Sequence, residues 1–536
     1  MVQFRCQLYI YSAYNLVGSS RISAMACSNH VFRMASLVLV LALIASACTS
    51  RSPTPLPGTS SPGLEENQAT SEPTPFPQST PPDLTKIPEP HDPVPSPTPS
   101  PSDQQNPQYT LTARLDYARH HLTVEEKIDY VNRASEALSE LLLMVEPAYY
   151  AGVFHLTSLD WGAGKTAADA SWDGAQLQLP LSEPLQPGEH TTLSITYELD
   201  LPSPQPSPTT RPVPFGYTAR QTNLVDWYPF IPPYEAGKGW LAHRAGYFGE
   251  HLVYEEADFQ VNIQITDRRS DLTVAASSEP QVDGDWMRYR LENARNFVWS
   301  VSNEYQVETE TVGGVTVYGY SFPFDSAAGK AALHTTAQAL ALYNQLFGPY
   351  PRKSLSVVEA DFLDGMEYEG LYFLSDGFYN LYQGQPGEYL VAIAAHETAH
   401  QWWYALVGND QALEPWLDEA LCTYSERLFY EYTYPDALDW WWAYRIQYYE
   451  PKGWVNGSIY NPDGYRAYRD AVYLNGALFL EALRKQVGDT AFLAFLKDYA
   501  RQEAHKIATA QDFFSILKAH TQEDIQPLVN QYFKNQ

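Results

Sequence analysis

The chain has 536 residues, and 44% of them are hydrophobic, which is enough apolar material for more than one packed domain. Its formal net charge is −29, from 34 basic and 63 acidic residues. This balance argues against nucleic acid as a partner, because a phosphate backbone requires a basic surface. Solubility is the first interpretation of the acidity, and attraction of cationic substrates is the second.

The N-terminal part has the pattern of an export signal. Arg33 precedes a fourteen-residue apolar run, Met34 to Ala47, whereas a transmembrane helix needs about 20 such residues. Small residues before Cys48 are typical of a bacterial lipoprotein, so we expect a lipid anchor at Cys48 on the extracytoplasmic face of the cell membrane. Plain secretion is the alternative, because Ala45 stands where such signals usually have leucine. Residues 1–47 are interpreted as an upstream extension followed by a signal peptide.

Residues 48–108 are rich in proline, serine and threonine and have few large apolar side chains. Such a segment cannot form a core, so we expect a disordered tether. Of the four cysteines, Cys6 and Cys27 precede the predicted cleavage site and Cys48 carries the anchor, which leaves Cys422 alone in the folded part. No internal disulfide is therefore expected.

Residues 109–322 are predicted to form a β-rich domain. The evidence is a series of alternating or β-branched runs, namely Tyr109 to Tyr117, Thr192 to Leu201, Phe259 to Thr266 and Gly314 to Tyr320. Residues 323–536 are predicted to be mostly helical. A helix is expected from Ala327 to Phe347 and a strand from Ser354 to Ala360. After Tyr473, four helical runs are expected: one that ends at Gly488, one from Thr490 to about Gln502, one from Thr509 to about His520, and one near Gln526 to Phe533.

The helical part contains His396-Glu397-Thr398-Ala399-His400, followed after eighteen residues by Glu419. Positions i and i+4 share one helix face, so His396 and His400 can bind one zinc ion while Glu397 lies beside its open side. Glu419 supplies a third ligand, and the fourth position is left for water, whose pKa on zinc is about 7. An apolar helix from Leu390 to Val407 and a second helix from Pro415 are expected to carry these groups.

These residues resemble the aminopeptidase N family of gluzincin zinc peptidases, which includes the leukotriene-A hydrolases. Two further segments agree with the resemblance, Gly365-Met366-Glu367-Tyr368-Glu369 upstream and Tyr473-Leu474-Asn475-Gly476-Ala477 downstream. The resemblance implies a multidomain chain, with an all-β saddle-like sandwich domain followed by a thermolysin-like, mostly α-helical catalytic domain. It also implies one zinc ion per chain and peptide substrates that have a free N-terminal amine.

The resemblance also assigns roles to the motif residues. Glu397 is the general base, Tyr473 stabilises the oxyanion, and Glu367, with Gly365 and Met366, binds the free α-amine of the substrate. Tyr468 is the alternative to Tyr473. Cys422 is expected to be a buried helix residue, with a fourth zinc ligand as the alternative. Only about 60 residues follow Tyr473, so we expect the chain to lack the large C-terminal helical domain of many relatives and to have a more open cleft.

Three functions are compatible with this sequence. The favoured one is a surface-anchored zinc aminopeptidase that removes N-terminal residues from peptides. A zinc endopeptidase on the same centre is the second, and a non-catalytic zinc-binding surface lipoprotein is the third. The residue preference depends on a pocket whose walls the sequence does not define, with Tyr368 and Glu369 as candidates.

Overall fold

The computed structural model of the protein describes residues 106–162, 164–203, 213–267 and 269–534. The predicted extension and signal peptide, the anchor at Cys48 and the tether up to residue 105 lie outside the described residues. In the part of the chain that is described, no helix is both long enough and apolar enough to cross a membrane.

A seven-stranded sheet dominates the N-terminal region. Its strands, in spatial order, are Gln281–Asp283, Trp286–Ala294, Ala257–Ile265, Gln108–Asp116, His121–Val131, His190–Asp200 and Phe154–Asp160. The first strand of the described residues, Gln108–Asp116, lies inside this sheet, parallel to Ala257–Ile265 and antiparallel to His121–Val131. Its apolar residues alternate with polar ones, so Tyr109, Leu111, Ala113 and Leu115 all lie in the core.

Smaller sheets complete this β-rich region. One has three strands, Leu138–Met144, Gln176–Leu185 and Ser171–Asp173, and another has four, Thr273–Ala276, Trp299–Ser302, Thr222–Leu224 and Gly216–Tyr217. Tyr234–Glu235 pairs with Gly239–Trp240 in a two-stranded ribbon. An all-β domain followed by a helical one is therefore confirmed as the fold class.

A five-stranded sheet connects the two regions. Its spatial order is Gln306–Val312, Val315–Ser321, Ser354–Ala360, Leu371–Ser375 and Gly365–Tyr368. The strand Ser354–Ala360 is buried on both faces, because Val357 packs with the helices and Val358 with the β-rich core. This sheet contains strands from both sides of residue 322, so hydrogen bonding is continuous across the predicted domain boundary.

The remaining chain is helical. Its α-helices are Ser326–Leu346, Asp376–Leu381, Tyr389–Ala399, Trp416–Thr433, Leu438–Trp440, Tyr465–Arg469, Gly476–Val487, Asp489–Gln502, Ala510–His520 and Gln526–Tyr532, with π-helical turns at Trp441–Ile446 and Asp470–Asn475. Single 3-10 turns occur at Glu146–Tyr149, Ala167–Asp169, Pro323–Asp325, Pro435–Ala437 and Gln447–Tyr449. Thr509 and Asp512 form a capping box at the start of Ala510–His520.

One predicted helix is too long. The run from Leu390 to Val407 is helical only as far as Ala399, with His400 as the C-cap, and the rest forms turns. The chain must turn there because Gly408–Asn409 pairs in parallel with Ile507–Ala508. The apolar residues after His400, such as Trp402 and Trp403, are buried in the core without helical periodicity, and this misled the sequence interpretation.

Candidate metal centre and active site

Two helices bring the predicted metal ligands together. The first, Tyr389–Ala399, is here called the metal helix, and it places the buried rings of His396 and His400 on one face with centroids 4.9 Å apart. The second, Trp416–Thr433, is here called the glutamate helix and carries Glu419 in its first turn. The Oε2 atom of Glu419 lies 3.2 Å from Nε2 of His396 and 3.6 Å from Nε2 of His400.

These three donors suit a zinc ion. Their ligand atoms all lie within 4.8 Å of one another, and two imidazoles with one carboxylate form the usual protein ligand set of a hydrolytic zinc site. Burial alone would lower the pKa of His396, but its hydrogen bonds with Glu419 and Glu426 raise that pKa to about 9. The carboxylates around His396 thus stabilise a positive charge. A divalent cation bound by neutral imidazoles supplies that charge in place of the proton.

A further carboxylate orients His396. Glu426 accepts a hydrogen bond from Nδ1 of His396 at 2.9 Å, which directs the lone pair of Nε2 toward Glu419. Glu426 is fully buried and also accepts bonds from Trp441 at 2.8 Å and from Arg445 at 2.9 and 2.8 Å. The sequence analysis missed this group, although Glu426 lies two helical turns after Glu419 and therefore on the same face.

A backbone carbonyl oxygen orients the ring of His400, as Glu426 orients that of His396. Nδ1 of His400 donates to the carbonyl oxygen of Trp403 at 3.0 Å. The turn that replaces the predicted last part of the metal helix supplies this carbonyl. Cys422 lies nearby, with Sγ 3.8 Å from the same oxygen, and it is a buried helix residue as expected. Among the described residues, no group of candidate metal donors includes Cys422.

Glu397 lies on the metal helix next to strand Gly365–Tyr368. A Cβ atom at Gly365 would be 2.1 Å from Oε1 of Glu397, so only glycine allows this approach. The Oε2 atom of Glu397 is buried and has no hydrogen-bond partner among the described residues. Burial raises the pKa of Glu397 well above its ordinary value. The carboxyl group of Glu397 is therefore held in place beside Gly365, and its raised pKa favours binding of a proton.

Glu367 lies beside the three metal donors. It is buried, and its carboxylate accepts a hydrogen bond from Nε2 of Gln411 at 3.0 Å. The same Gln411 nitrogen donates to Asp418 at 2.9 Å, which fixes two buried carboxylates relative to each other. Carboxylate oxygens of Glu250, Glu367 and Glu419 lie within 4.8 Å of one another. Glu250, Gln411 and Asp418 are site residues that the sequence analysis did not identify.

Tyr473 reaches the metal donors from the π-helical turn Asp470–Asn475. Its hydroxyl donates to Oε1 of Glu419, and its ring lies parallel to that of His396 at a centroid distance of 6.1 Å. Tyr468 is buried instead against Phe248, at 5.0 Å, and packs edge-on against Tyr473. The geometry thus brings Tyr473, rather than its alternative Tyr468, to the centre.

Comparison with known proteins agrees with this site. Residues 331–532 match the peptidase family M1 domain. The chain is 26% identical over 244 residues to aminopeptidase M1 of Arabidopsis thaliana, and 24% identical over 287 residues to endoplasmic reticulum aminopeptidase 1 of Homo sapiens. These alignments cover 42% and 49% of this chain but only 28% and 30% of those relatives.

The fold is also similar to a solved structure. The M1 zinc metallopeptidase from Deinococcus radiodurans matches with a TM-score of 0.57 and 18% identity, over 80% of this chain and 94% of that one. The fold and the donor set define a zinc metallopeptidase of the gluzincin type. The match of residues 331–532 to the peptidase family M1 domain confirms the resemblance to the aminopeptidase N family that the motifs predicted. Zinc is therefore its cofactor.

Proposed function

We propose that the protein is an aminopeptidase that removes N-terminal residues from peptides at the cell surface. The observation that carries this proposal is the position of Glu367, a buried carboxylate beside the metal donors that belongs to a neighbouring strand. A free α-amine is a cation, and pairing with Glu367 places the first peptide bond at the metal. An endopeptidase has no use for an anion at this position.

The catalytic steps are assigned to side chains of this chain. When bound by His396, His400 and Glu419, zinc supplies a Lewis acid that polarises the carbonyl and acidifies water. Glu397 accepts the proton of the attacking water and returns it to the leaving amine, a transfer that its raised pKa supports. Since Oε2 of Glu397 is buried and unbonded, it is available to hold that proton.

Tyr473 is proposed to stabilise the charge that develops on the carbonyl oxygen. Its hydroxyl already lies at Glu419, so a small rotation directs the same O–H toward an anionic oxygen near the metal. Burial raises the pKa of Tyr473 well above its ordinary value, which keeps the hydroxyl protonated and able to donate at neutral pH. Gly365 and Met366 complete the strand edge along which the substrate's first residue lies.

Location is part of the same proposal. The apolar run that ends at Cys48 supports export and a lipid anchor, and the proline-rich segment after it supports a spacer between membrane and enzyme. Metabolic labelling with a radioactive fatty acid tests the anchor. Label on the wild-type protein that is absent after Cys48→Ser supports it, and an unlabelled protein in the culture medium establishes plain secretion.

The activity is tested with aminoacyl-naphthylamides and with N-acetylated peptides of the same sequence, using purified full-length protein. We expect hydrolysis of free-amine substrates only, abolished by a chelator and restored by zinc, and absent in Glu397→Gln. Equal cleavage of acetylated peptides would establish an endopeptidase. Zinc binding without hydrolysis of either class would establish a non-catalytic lipoprotein.

A further inference from the structure

A cavity opens beside the proposed amine-binding residue. Met366, Glu367 and Tyr368 form one of its walls, and residues of the β-rich region, together with Tyr404 and Gln411, form the others. Tyr368 is therefore part of the pocket, as considered above. Glu369 is not, because its carboxylate is buried and bound to Arg352 at 2.8 Å. A substrate whose amine contacts Glu367 therefore has its first residue beside this cavity.

The charged side chains of the cavity wall are mostly acidic. Four carboxylates line it, those of Glu146, Asp226, Glu250 and Glu367. His251 is the single histidine among the described lining residues, and its Nε2 lies 2.5 Å from Oε1 of Glu146. Those described lining residues include no lysine and no arginine. Even with His251 protonated, the wall is anionic.

Aromatic rings provide a second part of the surface. Tyr149, Tyr150, Phe215 and Tyr404 contribute aromatic walls. Such walls bind a methylene chain by burial of apolar area and a cation through the ring face. Tyr254 donates its hydroxyl to Oδ1 of Asp226, which holds that carboxylate in place at the cavity wall.

The size of the cavity allows a side chain to enter it. Its volume is about 60 Å³, whereas a site for a single water needs only about 10–15 Å³. The cavity is therefore larger than one water needs, and an extended lysine or arginine side chain is compatible with it.

We infer that this cavity is a specificity pocket that selects a cationic first residue, lysine or arginine, on the substrate. The inference rests on the proposed function, since it assumes that Glu367 binds the α-amine. Selection arises because an anionic, partly buried wall stabilises a cation much more than it stabilises a neutral chain of the same shape.

The test compares ligands that differ only in charge. Lysinamide and norleucinamide have nearly the same length, so their dissociation constants, measured by calorimetry on the zinc-loaded protein carrying Glu397→Gln, isolate the effect of the cation. We expect lysinamide to bind at least tenfold more tightly. Equal binding, or tighter binding of norleucinamide, would overturn the inference. Because no turnover is involved, this result is separate from the activity test, in which failure would show as no hydrolysis of any free-amine substrate.

Two variants locate the effect. Asp226→Asn keeps the shape and suits the backbone, because Asp226 has a φ of 48° and asparagine adopts such angles readily. Glu146→Gln provides a second, independent change on the wall. Each is expected to reduce the lysinamide preference at least threefold, whereas Asp173→Asn, an exposed carboxylate paired with Arg244, is expected to leave it unchanged. If both pocket variants kept the wild-type ratio of the norleucinamide and lysinamide dissociation constants, the cavity would not be the site that selects the cation, and the inference would be wrong.

Discussion

Glu426 holds His396 through a hydrogen bond of 2.9 Å to Nδ1, while Arg445 and Trp441 hold Glu426 in turn. The metal ligand is thus the inner end of a buried chain of polar groups that extends from the glutamate helix to the π-helical turn Trp441–Ile446. Such outer partners fix the ring orientation of a metal-binding histidine and increase its basicity.

Glu426→Gln is therefore expected to weaken zinc binding about 10- to 100-fold. The change removes the charge that orients His396 and keeps the size of the side chain. Zinc occupancy in competition with a chromophoric chelator measures the effect. Glu431→Gln is the matched control, because Glu431 lies on the same helix but pairs with Arg427 and Arg484. Equal zinc affinity in the two variants would contradict the proposed role of Glu426.

Tyr473→Phe is expected to lower kcat by about a hundred- to a thousandfold, with KM and zinc content nearly unchanged, because one oxyanion donor is lost. The measurement is steady-state hydrolysis of a free-amine naphthylamide. Tyr468→Phe is the control, since that ring packs against Phe248 and the substitution retains its packing. A larger loss of kcat in the Tyr468 variant would reverse the assignment.

Gly365→Ala is expected to reduce kcat by about a hundredfold, since its Cβ displaces Glu397 and small misplacements of catalytic groups have effects of this size. The ideal Cβ lies 2.1 Å from Oε1 of Glu397, so the two cannot both keep their positions. Zinc content should remain at one ion, which separates this effect from loss of the metal. Gly377→Ala, whose Cβ meets only Ser375 Oγ at 3.2 Å, is expected to have little effect. Full activity of the Gly365 variant would show that Glu397 can move without loss of catalysis.

Glu367→Gln is expected to raise KM for free-amine substrates at least tenfold, because the ammonium group loses its buried ionic partner. Steady-state hydrolysis of a free-amine naphthylamide measures KM directly. An unchanged KM in this variant would place amine recognition on another carboxylate, such as Glu250.

Stability is expected to fall as pH rises, through Glu359. This side chain is fully buried under the amide of Phe322, and burial raises its pKa from 4.5 to about 8. The folded state therefore holds a proton that the unfolded state releases between those pH values. Because the unfolded state binds fewer protons, the free energy of unfolding decreases with pH in this window, by up to about 1.4 kcal/mol per pH unit.

Glu359→Gln removes this titration and keeps an oxygen that accepts from the Phe322 amide. We expect its urea midpoint to exceed that of the wild-type protein at pH 8.5 and to show no such advantage at pH 4.5. Glu308→Gln, an exposed residue near Lys330, is the control. A difference between Glu359→Gln and wild type that stays constant with pH would show that Glu359 titrates normally.

Local sequence patterns are sufficient to predict many of the helices and strands. The alternation in residues 109–117 predicted the strand Gln108–Asp116, and the helix expected from Ala327 to Phe347 is Ser326–Leu346. The metal donors were also predictable, because His396 and His400 are one helical turn apart and Pro415 marks the start of the glutamate helix.

Contacts between distant segments were not predictable in this way. Gln411 joins Glu367 to Asp418 only because a turn, a strand and a helix meet there. The π-helical turn at Tyr473 adds a residue to a helical turn, which ordinary helical periodicity does not indicate. The pocket wall combines Glu146, Asp226 and Glu367 from widely separated parts of the chain, so its charge becomes visible only in the folded protein.

The position of the first strand has a mechanical consequence. Gln108–Asp116 is hydrogen-bonded along both edges, to Ala257–Ile265 and to His121–Val131. A force on Gln108 directed along the strand would load both rows of bonds together, because each row runs along one edge of the strand. If Cys48 is held in a membrane as proposed, drag on the enzyme reaches the folded part through this doubly paired strand.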